Sequence, residues 1–308
     1  MSKYIVTTTI YPPSKALEKF QTKKDWTLIV VGDKKTPHEY YRNNPDIIYL
    51  DPEYQETNYK ELSDLIGWNC TSRRNIGYIE AIKRGADIIA TIDDDNIPND
   101  NWGENLFLRN NMETDCFSSL DTTLSVFDPL SATNYSYLWH RGYPIELVHR
   151  KNNIYKYKDT FNFGIQADFW NGDPDVDAIE RMIYAPTCIF DDTCFPFTSD
   201  RISPFNSQNT FLTRESLKDY FMFPGTGRME DIWAAYYCLS KGHKVIYNKA
   251  TVTQERNPHN YIIDFNAEII GYQNNTSLIS DILQDPDNIQ KYISSNSYKA
   301  FKLYQSYF

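Results

Sequence analysis

The chain lacks an excess of positive charge and any long hydrophobic run. It has 31 Lys and Arg against 41 Asp and Glu in 308 residues, a formal net charge of −10. Nucleic-acid binding relies on clustered Lys and Arg, so we expect no nucleic-acid partner. No apolar run approaches the ~20 residues of a membrane-spanning helix, and a strand-like pattern begins directly after Met1. We therefore expect no membrane span and no signal peptide.

Cysteine is scarce and unpatterned. The chain has five cysteines, an odd number, and none of them form a CxxC pair. A disulfide framework or a thiolate metal site is typical of an even number at short, regular spacings. Reduced thiols and a cytoplasmic location are the expected consequence.

Apolar strand patterns alternate with helix-length polar segments in the first third of the chain. Strands are predicted at residues 5–10, 26–31, 47–50 and 86–92, and helices at 14–20 and 71–84. Alternation at this spacing predicts an α/β fold with a mostly parallel sheet flanked by helices. Ligands of such sheets bind at the carboxyl ends of the strands.

Three consecutive carboxylates, Asp93, Asp94 and Asp95, follow the apolar run at 86–92. Alternation along an extended backbone points Asp93 and Asp95 the same way and Asp94 the other way. Two carboxylates about 4 Å apart repel by roughly 4 kcal/mol at an effective dielectric near 20, so a converging pair favours a bound cation. Oxygen ligands suit Mg²⁺ or Mn²⁺, while an acidic turn on a solvated loop is the alternative.

Two further segments hold charged residues in unusual surroundings. Arg141 stands among aromatic and turn-forming residues, where it could clamp a diphosphate or bond backbone carbonyls as a structural residue. Glu230 and Asp231 occupy the start of a predicted helix, where acids also compensate the helix dipole. The turn-rich acidic segment at 169–175 suits a loop beside a pocket. These local patterns leave both interpretations open.

Taken together and in order, several short motifs resemble a known family. They are RNIGY at 74–78, TIDDDNIP at 91–98, RGYP at 141–144, GRMEDIW at 227–233 and NP at 257–258. This set resembles the reversibly glycosylated polypeptides of plants, which are UDP-arabinopyranose mutases, and the related STELLO-type glycosyltransferase-like proteins. The resemblance covers roughly residues 3–270.

The resemblance implies a GT-A type, Rossmann-like fold that binds a nucleotide-diphospho-sugar and Mn²⁺ or Mg²⁺. It implies a catalytic group of Arg141, Glu230 and Asp231, with one of the two acids as general base and the arginine linked to reversible glycosylation. It implies a nucleotide-binding group of Thr8, Asp33, Arg73, Arg74, Asp93 and Asp94. The implied metal ligands are Asp93, Asp95 and His259, the last a weak substitute for a histidine that the mutases carry before the final Asn-Pro.

These expectations lead to three functional hypotheses. The first is a metal-dependent glycosyltransferase with a UDP-linked or related donor and a carbohydrate or glycan acceptor. The second is a UDP-sugar mutase, and the third is a catalytically silent sugar-nucleotide-binding subunit. We expect a catalytic domain over 1–271 and a helical extension over 272–308, which packs on the core or pairs two subunits of a homo-oligomer.

Overall fold

A single mixed β-sheet forms the centre of the computed structural model, which describes residues 1–255 and 260–308. Eleven strands belong to it within these residues. They are β1 (Lys3–Thr9), β2 (Thr27–Gly32), β3 (Ile47–Leu50), β4 (Ile88–Ile92), β5 (Asn96–Pro98), β6 (Asn111–Ser119), β7 (Ile154–Asn162), β8 (Ile165–Gly172), β9 (Phe197–Ser199), β10 (Asn209–Thr213) and β11 (Val245–Gln254).

The strand order is β3-β2-β1-β4-β10-β8-β11-β9-β6-β7, with β5 paired to β11. The four strands β3, β2, β1 and β4 are parallel, as the sequence predicts. Strand β10 then runs antiparallel to both β4 and β8, and the second half of the sheet mixes both directions. The predicted α/β class is confirmed, and the parallel arrangement is confined largely to the amino-terminal half.

Ten α-helices within the described residues flank the sheet. They are α1 (Lys15–Gln21), α2 (Glu39–Arg42), α3 (Pro52–Asn58), α4 (Lys60–Ile66), α5 (Arg74–Lys83), α6 (Ala178–Tyr184), α7 (Arg214–Leu217), α8 (Glu230–Ser240), α9 (Tyr261–Gln284) and α10 (Ser295–Gln305). Local chemistry starts several of them. Ser14 accepts a hydrogen bond from Leu17 N at 3.2 Å, and Asp51 caps α3 in the same way ahead of Pro52.

Helix α5 packs very closely on β1 and β2 through Gly77. A Cβ at this position would lie 2.5 Å from Val6 Cγ1 and 2.7 Å from Val31 Cγ2, so a larger residue would push the helix away. Glycine therefore sets the distance between helix and sheet. This contact brings the first turn of α5, which carries Arg74, to the carboxyl end of β4.

The carboxyl-terminal helices pack on the same core. Helix α9 is continuous across the predicted boundary at 271/272, and α10 follows it. Phe301 packs its ring on Phe221 and Tyr237, and the Tyr304 hydroxyl donates to Leu217 O at 2.8 Å. Residues 272–308 thus extend the core as helices. No helix in the described part of the chain combines the length and apolar character needed to cross a membrane.

Candidate active site

A cavity of about 190 Å³ opens at the carboxyl end of β4, and we call it the central cavity. Its wall includes most of the catalytic and metal residues that the sequence predicts, namely Asp93, Asp95, Arg141, Glu230, Asp231 and also Arg74. They come from the turn after β4, the loop between β6 and β7, and the first turns of α5 and α8. Segments far apart in the chain therefore meet at one edge of the sheet, where α/β proteins bind ligands.

The three carboxylates of the acidic triplet, which follow the end of β4, do not all face the same space. Asp93 and Asp95 line the central cavity, whereas Asp94 points toward Thr9, whose hydroxyl donates to Asp94 Oδ2. Burial raises the pKa of Asp94. Both outer residues therefore line one cavity, and their predicted role as metal ligands stays a prediction.

Asp93 and Asp95 alone do not form a complete metal site, but they fit a divalent cation whose other ligands come from the substrate. Asp93 Oδ1 accepts a hydrogen bond from Arg74 Nη2 at 2.8 Å, and the Asp93 residue lines the cavity. Within residues 1–255 and 260–308, no three His, Cys, Asp or Glu side chains form a metal-holding group by themselves. Mg²⁺-type sites commonly use one or two carboxylates and take further oxygens from substrate phosphates and water. The predicted ligand His259 and the NP motif at 257–258 lie outside the described residues.

Arg141 is a buried residue whose donors are all used inside the protein. Its Nε and Nη2 donate to Asp175 at 2.8 and 2.9 Å, and its Nη1 and Nη2 donate to Asp231 at 3.0 Å each. The remaining Nη1 proton goes to Arg228 O. A guanidinium has five N–H donors, so none remains for a diphosphate. Burial opposes its charge, but Asp175 and Asp231 outweigh burial and raise the pKa of Arg141.

The two acids of α8 differ in their surroundings. Asp231 accepts from Arg141 and from Ser207 N at 3.0 Å. Burial alone would raise the pKa of Asp231, but the Arg141 charge lowers it below its usual value. Glu230 accepts from Thr71 Oγ1 at 2.6 Å, and burial raises its pKa. Glu230 is therefore the better proton acceptor of the pair, since a carboxyl pKa closer to neutrality suits general base catalysis.

Arg73 and Arg74, which are adjacent at the start of α5, contact different parts of the protein. Arg74 Nη1 donates to Thr91 Oγ1 and Ser207 O, and its Nη2 reaches Asp93. Burial opposes the charge, but Asp93 raises the pKa of Arg74.

Arg73 lies outside the lining of the central cavity, and its predicted contact with the nucleotide stays a prediction. It donates to Gln55 and to Gly67 O at 2.8 Å, and its guanidinium lies 3.5 Å from the centre of the Trp68 ring. Burial lowers the pKa of Arg73 to about 10. Its role here is to hold the connection between α4 and α5.

A second pocket of about 260 Å³ lies at the carboxyl ends of β1 and β2, and we call it the β1–β2 pocket. It is lined by three of the predicted nucleotide-binding residues, Thr8, Asp33 and Asp94. Asp33 Oδ2 accepts from Asn69 N at 2.7 Å, and Thr8 Oγ1 donates to Val31 O at 2.8 Å. Thr71 lines this pocket and the central cavity, so the two spaces adjoin.

Several residues of the site were missed in the sequence. Asp175, which is 2% exposed, pairs with Arg141 and accepts from Asn206 Nδ2 at 2.8 Å. The acidic, turn-rich segment at 169–175 indicated a loop beside a pocket but not which residue mattered. Arg228 lines the cavity and donates to Glu268 Oε1 at 2.7 Å, and only its place next to Glu230 drew attention to it. Ser207 carried no local signal.

Two curated proteins of Arabidopsis thaliana are similar in sequence to this chain. The probable glycosyltransferase STELLO2 is 26% identical over 186 residues, which is 58% of this chain and 24% of that protein. The probable glycosyltransferase STELLO1 is 25% identical over 224 residues, 68% of this chain and 29% of that protein. The matched region thus spans only 24% and 29% of the length of these two relatives. No family model matches, and the resemblance to UDP-arabinopyranose mutases is not shown.

Two solved structures share a distant likeness. Glucosyl-3-phosphoglycerate synthase from Mycobacterium tuberculosis, in complex with phosphoglyceric acid, has a TM-score of 0.46 at 11% identity, covering 90% of this chain and 80% of that one. Mannosyltransferase PcManGT from Pyrobaculum calidifontis, in complex with GDP-Man and Mn²⁺, has a TM-score of 0.43 at 8% identity, covering 98% and 73%.

Proposed function

We propose that this chain is a glycosyltransferase of the GT-A type that uses a nucleotide-diphospho-sugar donor, UDP-linked, with Mn²⁺ or Mg²⁺. One observation carries the proposal. The carboxylates of Asp93 and Asp95 face the same cavity as Glu230, directly beside a pocket at the ends of β1 and β2. A pair of carboxylates suited to a metal-bound diphosphate and a proton acceptor in one cavity suit transfer of a sugar. The similarity to two probable glycosyltransferases supports it.

In this proposal each part of the donor occupies a separate part of the site. The nucleoside lies in the β1–β2 pocket, and the diphosphate passes Thr71 toward Asp93 and Asp95. The sugar then lies in the central cavity. Asp93 and Asp95 would hold the cation, which when bound neutralises the diphosphate leaving group as a Lewis acid. Arg74 orients Asp93 through the bond to its Oδ1.

Glu230 then acts as general base toward the acceptor, a carbohydrate or glycan hydroxyl. The hydroxyl oxygen bonds to the anomeric carbon as the bond from that carbon to the diphosphate oxygen breaks. Glu230 takes the hydroxyl proton, and Thr71 orients its carboxylate. Asp231 is a positioning residue in this scheme, because Arg141 and Ser207 hold both of its oxygens and so fix the first turn of α8.

A mutase that bonds its sugar through Arg141 is disfavoured by the contacts of that side chain. Every N–H of Arg141 is engaged, and its raised pKa keeps the guanidinium protonated and hence without a nucleophilic lone pair. Intact-protein mass spectrometry after incubation with UDP-sugars checks this, and we expect no sugar adduct on Arg141. An adduct that disappears in Arg141→Ala would favour the mutase.

The test of the transferase is a donor assay with the purified chain, a panel of UDP-sugars and Mn²⁺. We expect Mn²⁺-dependent release of UDP, accelerated by an added glycan acceptor and lost in the Asp93→Asn/Asp95→Asn double variant. Asp115→Asn is the matched control, because Asp115 on β6 pairs with Lys156 on β7, outside both the central cavity and the β1–β2 pocket. Isomerised nucleotide sugar without UDP release would replace the proposal with a mutase. UDP binding with neither product would replace it with a silent binding subunit.

A further inference from the structure

A third cavity, of about 380 Å³, lies between β8, β11 and two loops, and we call it the β8–β11 cavity. Residues from 101–107 and 192–196 close over it. Its volume falls within the range of roughly 300–1,000 Å³ that is usual for small-molecule sites. It shares no lining residue with the central cavity or the β1–β2 pocket.

An interruption in the sheet forms one wall of this cavity. Asn248 pairs with Asp168 and Val252 pairs with Trp170, so the register of β11 against β8 shifts between them. Residues 249–251 leave the regular ladder, and Asn99 N holds them by donating to Thr251 O at 2.8 Å. Such irregularities redirect side chains and are frequent beside functional sites.

The wall of the cavity carries a buried carboxylate held by neutral groups. Asp168 is 3% exposed and accepts from Gln166 Nε2 at 2.8 Å, Asn248 Nδ2 at 2.9 Å and Thr251 Oγ1 at 2.8 Å. Burial raises its pKa to about 6. An ionised carboxylate offers about four acceptor positions, so these three donors leave one for a ligand. A buried carboxylate without a hydrogen-bonded cation is costly to fold, which favours a functional reason for keeping it.

The lining chemistry narrows the class of ligand. An anion would be repelled by Asp168, and the nearby cation, Lys249, is already paired with Asp192 at 3.3 Å. A purely apolar ligand would leave the carboxylate without its remaining partner. A neutral polyol satisfies both limits, because its hydroxyls donate to Asp168 while the rings of Phe107 and Phe195 cover its C–H faces.

We propose that the β8–β11 cavity is a second carbohydrate site, which binds a neutral sugar unit. Thr251 lines this cavity, and Gln254, three residues further along β11, lines the central cavity. Three residues of strand span roughly 10 Å, so a sugar bound here lies close to the central cavity. Binding at this site does not depend on the proposed transfer reaction.

The experiment is saturation-transfer difference NMR on the full chain with neutral sugars at millimolar concentration. The panel contains hexoses, pentoses and N-acetylhexosamines, with glucosamine and glucose 6-phosphate as cationic and anionic probes. Saturating UDP and Mn²⁺ are added throughout to occupy the donor site. Three variants are compared with the unmodified chain, Asp168→Asn, Phe107→Ala and, as control in the other cavity, Glu230→Gln.

We expect at least one neutral sugar to bind, with affinity reduced about tenfold by Asp168→Asn, since a hydrogen bond to a charged group is lost. Phe107→Ala removes the stacking ring but keeps the backbone hydrogen bond from Phe107 N to Gln166 Oε1, so it should also weaken binding while Asp168 keeps its partners. Glu230→Gln should leave it unchanged. Binding of no neutral sugar, preference for glucosamine or glucose 6-phosphate, or loss of binding only in Glu230→Gln would each overturn the proposal.

Discussion

Replacement of Arg141 by lysine tests whether this residue supports the site or contacts the substrate. The guanidinium bridges Asp175 and Asp231 through two bidentate pairs, with exposed fractions of 2% and 7% for the two carboxylate residues. Lysine carries one compact charge and cannot hold both carboxylates in this planar geometry. One of the two carboxylates would lose its hydrogen-bonded cation, and the other nearby guanidinium, that of Arg228, lies with its Nη2 3.9 Å from Asp175 Oδ1, beyond hydrogen-bond distance. Removing a partner of a buried ion pair costs roughly 3–5 kcal/mol.

We therefore expect Arg141→Lys to lower the free energy of unfolding by about 3 kcal/mol and to reduce turnover strongly, because Asp231 and the first turn of α8 move together. The assay is urea unfolding, followed by circular dichroism, alongside UDP release from the donor. Arg150→Lys is the matched control, because Arg150 forms an exposed pair with Asp121 and an exposed pair contributes little. Its unfolding should be nearly unchanged.

The result that refutes this reasoning is a variant that unfolds like the unmodified chain but no longer turns over. Arg141 would then act on the substrate, as the diphosphate or sugar clamp that its motif first suggested. A variant with full stability and full activity would exclude Arg141 from both roles. The RGYP motif would then be a much weaker indication of function.

Three further predictions concern single carboxylates. Glu230→Gln should retain donor binding and thermal stability but lose turnover by a factor on the order of 10²–10⁴. The control is Glu80→Gln, since Glu80 is buried on α5 and accepts from Tyr59, and this variant should keep its turnover. Equal losses of turnover in both variants would contradict the role of Glu230 as general base. Asp95→Asn should weaken Mn²⁺-dependent binding of the nucleotide sugar with the fold intact, measured by calorimetry, and unchanged affinity would contradict a metal role. Asp168 binds its proton more tightly in the folded chain, with a pKa of about 6 against 3.8, so its contribution to stability falls as the pH rises from 4 to 6. Asp168→Asn should remove this pH dependence, which amounts to on the order of 3 kcal/mol in the free energy of unfolding. If the free energy of unfolding of the variant changes with pH in parallel with that of the unmodified chain, the prediction is wrong.

Local patterns in the sequence were sufficient for the amino-terminal half of the fold. Strands β1, β2 and β4 follow from apolar runs, helix α1 from a capping serine and helix α5 from its polar segment and the glycine that ends it, all of which act within a few residues of each other. The same reasoning expected Asp93 and Asp95 to face one space and Asp94 another, and both outer carboxylates do line the central cavity, although all three residues lie in the turn beyond β4 and not on an extended strand. The mixed second half of the sheet, with β10 between β4 and β8, was not anticipated.

The sequence by itself determined which segments carry the chemistry, because strand ends, helix starts and charged motifs are local features. Only the tertiary structure decided what each side chain does. Arg73 and Arg74 are adjacent and chemically identical, yet one holds Gln55 and the other Asp93, since successive helical side chains point about 100° apart. Arg141 meets Asp175 and Asp231 across 34 and 90 residues of chain. Such pairings depend on how the helices and strands pack in space, so they cannot be predicted from periodicity over a few residues.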